Sequence, residues 1–306
     1  MNAMAEVRFL PQSQYQQLET RFDIPHGALW GFMNPKPRAT FNPQLLLELQ
    51  DFVQGIIHGE GMIWNKGQEH SIQYAVIASK FPKVFNLGGD LALFRNAIVR
   101  GDRRRLVAYG NQCIDNLYPW SRNCDLPLTT IALVQGDALG GGFECALSST
   151  VLIAEESSRM GFPEINFNLF PGMGAFSYLS RKVGRRIAKE LVSDGNLYSA
   201  RQLYEMGVVD VVASDGEGEA AVYAYIKKHS RSAQGHRAIE AVSRVVDPVT
   251  KEELIEIVGI WADTALCLED RDLRMMERLI RAQDRGVEAT LTSPELTPSV
   301  LRRHIS

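Results

Sequence analysis

Two glutamates stand close to a glycine-rich segment near the middle of the chain, and residues of these types can perform acid/base chemistry together. Glu144 directly follows residues 136–143, which read GDALGGGF, and Glu164 lies twenty residues further on. The three consecutive glycines remove every β-carbon where a helix begins, so a ligand atom can approach free backbone N–H groups at the positive end of the helix. Such donors suit the oxyanion of an enolate or a tetrahedral intermediate, and two carboxylates beside them can divide the removal and delivery of protons.

The spacing alone leaves other interpretations open, because glycine-rich turns and surface glutamates are common in proteins. Nucleotide binding explains the glycines less well, since the segment has neither the Gly-x-Gly-x-x-Gly nor the Walker pattern and no lysine follows it. The chain has no Gly-x-Ser-x-Gly nucleophile motif, and its six histidines show no metal-ligand spacing, so no metal is expected. Cys145 adjoins Glu144, but helix neighbours point about 100° apart, so it is interpreted as a packed side chain.

Composition restricts the class of protein. The 306 residues are 45% hydrophobic and 23% charged with a net charge of −3, which describes a soluble globular chain and gives no reason to expect nucleic acid as a partner. No apolar run approaches the roughly 18 residues of a membrane span, and the N-terminal residues lack the apolar stretch of a signal peptide. The four cysteines show no pair spacing, which predicts neither disulfides nor zinc and favours a reduced cytoplasmic location.

Apolar stretches of strand length alternate with helical patterns through most of the chain, which predicts an α/β fold. Strands are expected at 72–79, 129–134, 151–154 and 208–212, with short edge strands at 7–9 and 28–32. Helices are expected at 42–57, with Asn42 as N-cap, and at 143–149, 175–183, 186–192 and 200–206. From about residue 217 the pattern is helical, with one long helix at 252–284. We therefore divide the chain into a core over 1–215, with an N-terminal extension over about 1–40, and a helical C-terminal region over 216–306.

Residues 131–171 resemble the crotonase superfamily, which contains the enoyl-CoA hydratases and their relatives. The matching segments are 132–136 (ALVQG), 140–144 (GGGFE), 162–165 (FPEI) and 169–174 (LFPGMG). Residues 87–90 (LGGD) resemble the family's upstream oxyanion loop, and the resemblance extends over about 72–215 in the family's order. It implies a crotonase-like fold of repeated ββα units with a helical C-terminal region.

The resemblance also implies roles for individual residues. The backbone N–H groups of Gly89 and Gly141 are expected to form the oxyanion hole. The presence of both glutamates implies addition or removal of water across the 2,3 bond of an acyl thioester, with Glu164 removing the C2 proton and Glu144 assisting departure of the 3-hydroxyl. No cofactor is implied beyond the phosphopantetheine of acyl carrier protein or of CoA, which carries the acyl group.

Three departures from the common hydratase pattern narrow the branch of the superfamily. Asp90 is followed by LALF, without the lysine often associated with the nucleotide part of CoA. The chain also has a long N-terminal section and the helix at 252–284, and the helix after the oxyanion loop carries Arg95, Arg100, Arg103, Arg104 and Arg105. These features resemble the diffusible signal factor synthases, bacterial crotonase relatives. They imply dehydration of a 3-hydroxyacyl-acyl carrier protein to the cis-2-enoyl form, followed by hydrolysis to a free fatty acid that serves in quorum sensing.

Two further sets of residues have competing interpretations. Arg103, Arg104 and Arg105 are either a solvated helix face or a docking patch for an acidic acyl carrier protein. By the resemblance, Met173, Trp261 and Leu279 line the acyl pocket, and ordinary core packing is the alternative. A conventional enoyl-CoA hydratase or isomerase of fatty acid metabolism remains the second functional hypothesis, and a non-catalytic binding protein the third. Family resemblance implies a homotrimer or hexamer, and a regulatory protein is a further candidate partner.

Overall fold

The computed structural model describes residues 15–65 and 67–292, with side chains to residue 281. The predicted strand at 7–9 lies outside the described residues. The strands are β1 (Leu18–Asp23), β2 (Ala28–Met33), β3 (Met62–Asn65), β4 (Gln68–Ser71), β5 (Tyr74–Ser79), β6 (Val84–Asn86), β7 (Thr129–Val134), β8 (Asp137–Leu139), β9 (Val151–Glu155), β10 (Arg159–Gly161), β11 (Leu197–Ser199) and β12 (Val211–Ala213). The α-helices are α1 (Pro43–His58), α2 (Leu91–Val99), α3 (Arg103–Ser121), α4 (Gly141–Leu147), α5 (Ala175–Val183), α6 (Arg185–Ser193), α7 (Ala200–Glu205), α8 (Gly218–His229), α9 (Ala233–Val246), α10 (Lys251–Leu266) and α11 (Asp270–Thr292). Short 3₁₀ helices occupy Asn123–Asp125, Pro163–Phe167 and Ser230–Ser232.

The larger sheet has six strands in the order β1-β2-β5-β7-β9-β12. Neighbouring strands are parallel except β1 and β2, which pair antiparallel. The four inner strands are nearly continuous apolar runs, as expected when both faces of a parallel sheet are covered. One face packs against α1 and α3 in the main core, and the other packs against α8 through Val222 and Ile226. The predicted α/β class is confirmed.

The smaller sheet, in the order β11-β10-β8-β6, places the ends of three strands side by side. A strand of the large sheet, a strand of the small sheet and a helix form each repeated ββα unit: β5-β6-α2, β7-β8-α4 and β9-β10-α5. Gly136 makes the turn between β7 and β8 with φ +128°, and a β-carbon there would lie 2.0 Å from the carbonyl carbon of Lys83. Only glycine lets these two backbone segments approach so closely.

The start of α1 follows the sequence prediction. The side chain of Asn42 accepts a hydrogen bond from the backbone N–H of Leu45 at 2.9 Å, and Pro43 occupies the first helical position. The cap satisfies a donor that the helix itself leaves free, and the proline needs no backbone partner there.

Two helices were predicted too long, because each is two separate helices in the structure. The arginine-bearing helix is two helices, since Gly101 adopts φ +64° and Asp102 caps α3 by accepting from the N–H of Arg105. The helix at 252–284 ends at Leu266, and a new helix begins at Asp270. Its first turn is held by the side chain of Asp272, which accepts from the N–H of Glu269 at 3.1 Å.

Two predicted strands also differ from the structure. The stretch at 208–212 begins as buried irregular chain, with Val208 and Val209 in the main core, and β12 starts only at Val211. The stretch at 28–32 is not an edge strand, because β1 covers its outer side.

The predicted division of the chain into a core and a C-terminal region at residue 215 stays a prediction. The next helix, α8, packs on one face of the large sheet. None of the helices in the described part of the chain combines the length and apolar character needed to cross a bilayer.

Candidate active site

The small sheet brings the loop after β6 against the first residue of α4. A β-carbon built on Gly141 would lie 3.5 Å from the backbone nitrogen of Gly89 and 3.5 Å from the α-carbon of Gly88. Among the loop and cap hydrogen bonds of the described chain, neither the N–H of Gly89 nor that of Gly141 donates to a backbone oxygen. Two free donors side by side at a helix N-terminus have the arrangement of an oxyanion hole.

The loop that carries Gly89 is held from three sides. The buried side chain of Asn86 accepts from the N–H of Gly88 at 2.8 Å, and the N–H of Phe41 donates to the carbonyl of Gly88 at 2.8 Å. The ring of Phe94 packs directly against Gly89, where a β-carbon would lie 2.4 Å from the ring. A side chain at this position would therefore have to displace the buried ring of Phe94.

Glu144 is buried on α4, four residues after Gly140, with 1% of its surface exposed. Its Oε1 accepts hydrogen bonds from the N–H groups of Met173 at 2.7 Å and Ala175 at 3.0 Å. Its Oε2 is buried and has no hydrogen-bond partner. Burial raises the pKa of Glu144 to about 7, against the lowering effect of the two backbone hydrogen bonds.

Glu164 lies in the 3₁₀ helix that follows β10, and its carboxyl group packs against the backbone of Gly140. A β-carbon on Gly140 would lie 2.1 Å from Oε1 of Glu164, and Gly140 has φ +51°, so glycine is needed for both reasons. Oε2 of Glu164 is buried without a hydrogen-bond partner. Burial first and the nearby charge of Glu144 second raise the pKa of Glu164 to about 8.

Burial raises the pKa of both carboxyl groups to near neutrality, and ionising both at once is unfavourable because it places two negative charges in one buried site. Either group can therefore serve as a base or an acid near neutral pH. The proton-bearing position on Glu144 is Oε2, since Oε1 is occupied by two N–H donors. With the adjacent N–H pair, this arrangement can remove a proton next to a carbonyl group and deliver one nearby.

A small apolar cavity of about 40 Å³ lies between α1 and α3, and Gly141 is among the residues that line it. Its lining residues are Phe41, Leu46, Leu49, Phe52, Val53, Ile77, Cys113, Asn116, Leu117, Trp120, Gly141, Cys145, Ser148 and Met173.

Of the three residues predicted to line the acyl pocket, Met173 lines the cavity between α1 and α3, whereas Trp261 and Leu279 do not. Trp261 is buried against Gly172 and meets the ring of Phe94 edge-on, with 5.0 Å between centroids. It therefore supports the aromatic ring that packs on the oxyanion loop. Leu279 is partly buried on α11 and packs against the main core.

The three predicted docking arginines are exposed at the start of α3. Arg103 forms a two-point ion pair with Asp263 on α10, at 2.6 and 3.0 Å. Within the described residues, the side chains of Arg104 and Arg105 form no ion pair. The start of a helix is an unfavourable place for cations, because the helix dipole is positive there.

Several functional features were missed from the sequence. The supports of the oxyanion loop, Asn86 and Phe94, come from different elements and leave no local pattern. The cavity between α1 and α3 did leave a pattern in the sequence. One face of α3 has i, i+3, i+4, i+7 spacing, which predicts that it is buried, at Cys113, Asn116, Leu117 and Trp120.

Adjacent free N–H groups on the loop after β6 and at the start of α4, a buried pair of carboxyl groups and the repeated ββα units are together the features of the crotonase superfamily. Within it, the chain belongs to the enoyl-CoA hydratase/isomerase family, whose sequence profile matches residues 31–258.

Individual relatives agree with this assignment. The probable mitochondrial enoyl-CoA hydratase 2 of Arabidopsis thaliana is 28% identical over 251 residues, which cover 82% of this chain and 73% of that protein. The structure of a putative enoyl-CoA hydratase from Streptomyces avermitilis aligns with a TM-score of 0.70 at 18% identity, over 93% of this chain and 99% of that one. Pseudomonas aeruginosa DspI aligns with a TM-score of 0.64 at 24% identity, over 78% and 91% of the two chains. The predicted crotonase-like fold is confirmed.

Proposed function

We propose that the protein is a dehydratase and thioesterase that converts a 3-hydroxyacyl-acyl carrier protein into a free cis-2-unsaturated fatty acid, a diffusible quorum-sensing signal. The observation that carries the proposal is the pair of carboxyl groups of Glu144 and Glu164, with buried Oε2 atoms, beside the N–H groups of Gly89 and Gly141. A purely binding protein has no need of two buried carboxyl oxygens without partners, because each costs folding free energy.

In the first step, the thioester oxygen accepts hydrogen bonds from Gly89 and Gly141, which acidifies the proton on C2. Because the pKa of Glu164 is the higher of the two, the reactive form is the minor one, in which Glu164 is ionised and Glu144 is protonated. In that form the carboxylate of Glu164 removes the proton, and the electron pair forms the C2–C3 double bond as the C3–O bond breaks. Glu144 gives the proton on Oε2 to the departing hydroxyl, which leaves as water. The pair ends with Glu164 protonated and Glu144 ionised.

That end state is the one that thioester hydrolysis needs. The carboxylate of Glu144 takes a proton from a water molecule as its oxygen bonds to C1, and the oxyanion is held by the same two N–H groups. The C1–S bond then breaks, and Glu164 protonates the departing thiolate. Glu144 is protonated and Glu164 ionised again, so the second step restores the pair for the next dehydration.

Surface charge supports acyl carrier protein, rather than CoA, as the carrier of the acyl group. Arg104 and Arg105 project from α3 without ion-pair partners in the described chain and can attract an acidic carrier protein. The lysine associated with CoA in hydratases is absent after Asp90. As the family resemblance implies, the proposed enzyme is a cytoplasmic homotrimer or hexamer, and a regulatory protein can bind its surface while catalysis continues.

The family match favours a second candidate, a conventional enoyl-CoA hydratase or isomerase. The same groups would then catalyse the reverse reaction, hydration. Ionised Glu144 would activate water, and Glu164 would deliver its proton to C2. This candidate predicts comparable turnover of CoA thioesters and no release of free acid.

The deciding experiment incubates the purified protein with 3-hydroxydodecanoyl-acyl carrier protein and with the matching CoA thioester. Mass spectrometry and gas chromatography then identify the cis-2-enoyl thioester, the trans isomer and the free acid. Free cis-2-acid from the carrier-protein substrate supports the proposal. Reversible hydration of trans-2-enoyl-CoA without free acid supports the conventional enzyme, and inactivity on both substrates removes both candidates.

A further inference from the structure

We propose that Tyr109 is a positioning residue that keeps the N–H group of Gly89 directed into the oxyanion hole. The residue acts without touching the substrate, through the backbone of Phe41 and through the ring of Phe94. The inference rests on the proposed function only in taking the N–H groups of Gly89 and Gly141 as the oxyanion hole, which both candidate reactions use.

The loop that carries Gly89 depends on a short segment that precedes α1. The N–H of Leu87 donates to the carbonyl of Ala39 at 2.7 Å. The N–H of Phe41 donates to the carbonyl of Gly88 at 2.8 Å, and Phe41 forms a parallel β-bridge with Gly89. Because β6 itself has only three residues, a shift of the segment that contains Phe41 would move Gly89 with it.

The buried side chain of Tyr109, on α3, fixes that segment. Its hydroxyl donates to the carbonyl of Phe41 at 2.6 Å, and both residues are buried. The same hydroxyl oxygen lies 3.4 Å from the position that a β-carbon of Gly89 would occupy. Tyr109 therefore holds Phe41 from a point beside the oxyanion loop, and Phe41 in turn holds the loop through the β-bridge.

The hydroxyl group keeps its proton while the catalytic carboxyl groups change theirs. Burial raises the pKa of Tyr109 well above its ordinary range, although the N–H of Asp90 lowers it in part. Because the phenol stays neutral, it remains a donor to the carbonyl of Phe41 in each protonation state of Glu144 and Glu164. The support that it gives to the loop is therefore independent of pH near neutrality.

The ring of Tyr109 gives the loop a second support. It meets the ring of Phe94 edge-on, with 4.9 Å between centroids, and Phe94 packs directly on Gly89. Phe94 also meets the ring of Trp261 edge-on, at 5.0 Å. Edge-to-face contacts between aromatic rings have a preferred geometry. Rings from α3 and α10 thus fix Phe94, and Phe94 fixes one side of Gly89.

The hydroxyl can be removed without the ring. Tyr109→Phe keeps the contact with Phe94 and removes only the hydrogen bond to Phe41. Complete loss of one oxyanion donor costs about 10²–10³ in rate, and this variant keeps the donor but releases its loop, so kcat is expected to fall about tenfold. KM is expected to stay within about twofold, because the oxyanion interaction strengthens in the transition state while the rest of the substrate binds as before.

A spectroscopic measurement separates positioning from a purely structural role. Hydrogen bonds to the thioester oxygen polarise the C=O bond and lower its stretching frequency. Infrared difference spectra of dodecanoyl-acyl carrier protein, labelled with ¹³C at C1, report this shift in the bound state. The spectra are taken with Glu144→Gln present, which prevents hydrolysis and keeps both N–H donors. The shift is expected to be smaller when Tyr109→Phe is added.

Tyr74→Phe is the matched control, because it removes the hydroxyl of another buried tyrosine, in the separate cluster on the other face of the large sheet. It is expected to leave kcat, KM and the carbonyl shift unchanged, and thermal unfolding checks that all variants fold. A Tyr109→Phe protein with native kcat and native carbonyl shift overturns the inference, whether or not its melting temperature falls. If the bound thioester shows no shift with Tyr109 intact, the oxyanion hole is wrong and the proposed function fails with it.

Discussion

Glu144→Gln should make the protein more stable above neutral pH while removing its activity. The glutamine keeps an oxygen for the N–H groups of Met173 and Ala175, and its amide nitrogen takes the place of Oε2, which has no partner in the native protein. The substitution therefore preserves shape and hydrogen bonds and removes only the ability to ionise. Loss of a general acid costs on the order of 10²–10⁴ in rate.

The size of the stability effect follows from the pKa of Glu144, which rises from 4.5 in the unfolded chain to about 7 in the folded protein. Because folding favours the neutral form, the contribution of Glu144 to stability is fully present below pH 4.5 and is lost as the pH rises through about 7. Each tenfold change in acidity is worth about 1.4 kcal/mol, so the loss is about 3 kcal/mol above pH 7. Glutamine avoids this loss.

The assay compares urea unfolding of both proteins at pH 5 and at pH 8.5. The variant is expected to gain stability over the native protein only at the higher pH. Glu48→Gln is a control, because both oxygens of this buried carboxylate accept hydrogen bonds, including those from the N–H groups of Gln16 and Gln17. An amide nitrogen there faces an N–H donor and should destabilise the protein at both pH values. An equal stability difference for Glu144→Gln at the two pH values would refute the reasoning.

Four further predictions test the rest of the site. Gly141→Ala should fold normally, since its β-carbon meets nothing closer than 3.5 Å, yet lose about 10²–10³ in kcat because the methyl group occupies the oxyanion position. Gly89→Ala should also lower the melting temperature, since its β-carbon would lie 2.4 Å from an aromatic ring; an unchanged melt would contradict this. Glu164→Gln should abolish exchange of the C2 hydrogen with deuterated solvent, seen by mass spectrometry, and residual exchange at the native rate would assign the base elsewhere. Arg104→Glu with Arg105→Glu should raise KM for the carrier-protein substrate at low salt and leave CoA thioesters unaffected; equal effects on both would point to a structural role.

Long helices could be predicted from sequence because their caps and periodicity are local. The N-cap of α1 is an example. The strands β6, β8 and β10 were missed because three residues carry too little pattern to separate a strand from a loop. These short strands nevertheless align the three parts of the site. The break before α11 was missed because apolar residues continue across it, at Leu266, Leu268 and Leu273. The break before α3 was missed although Gly101 and Asp102 mark it, as a helix-ending residue and a helix N-cap.

The sequence by itself determined the spatial separation of Gly141 and Glu144, because helix geometry fixes the distance between residues within one turn. It also determined which positions must lack a β-carbon, through the run of three glycines. Only the tertiary structure decided that Glu164 packs on Gly140 and that the N–H groups of Met173 and Ala175 hold Glu144. The raised pKa values of the two glutamates and the cavity between α1 and α3 also depend on the tertiary structure. Both arise from burial, and burial is created by elements distant in the chain when they pack together.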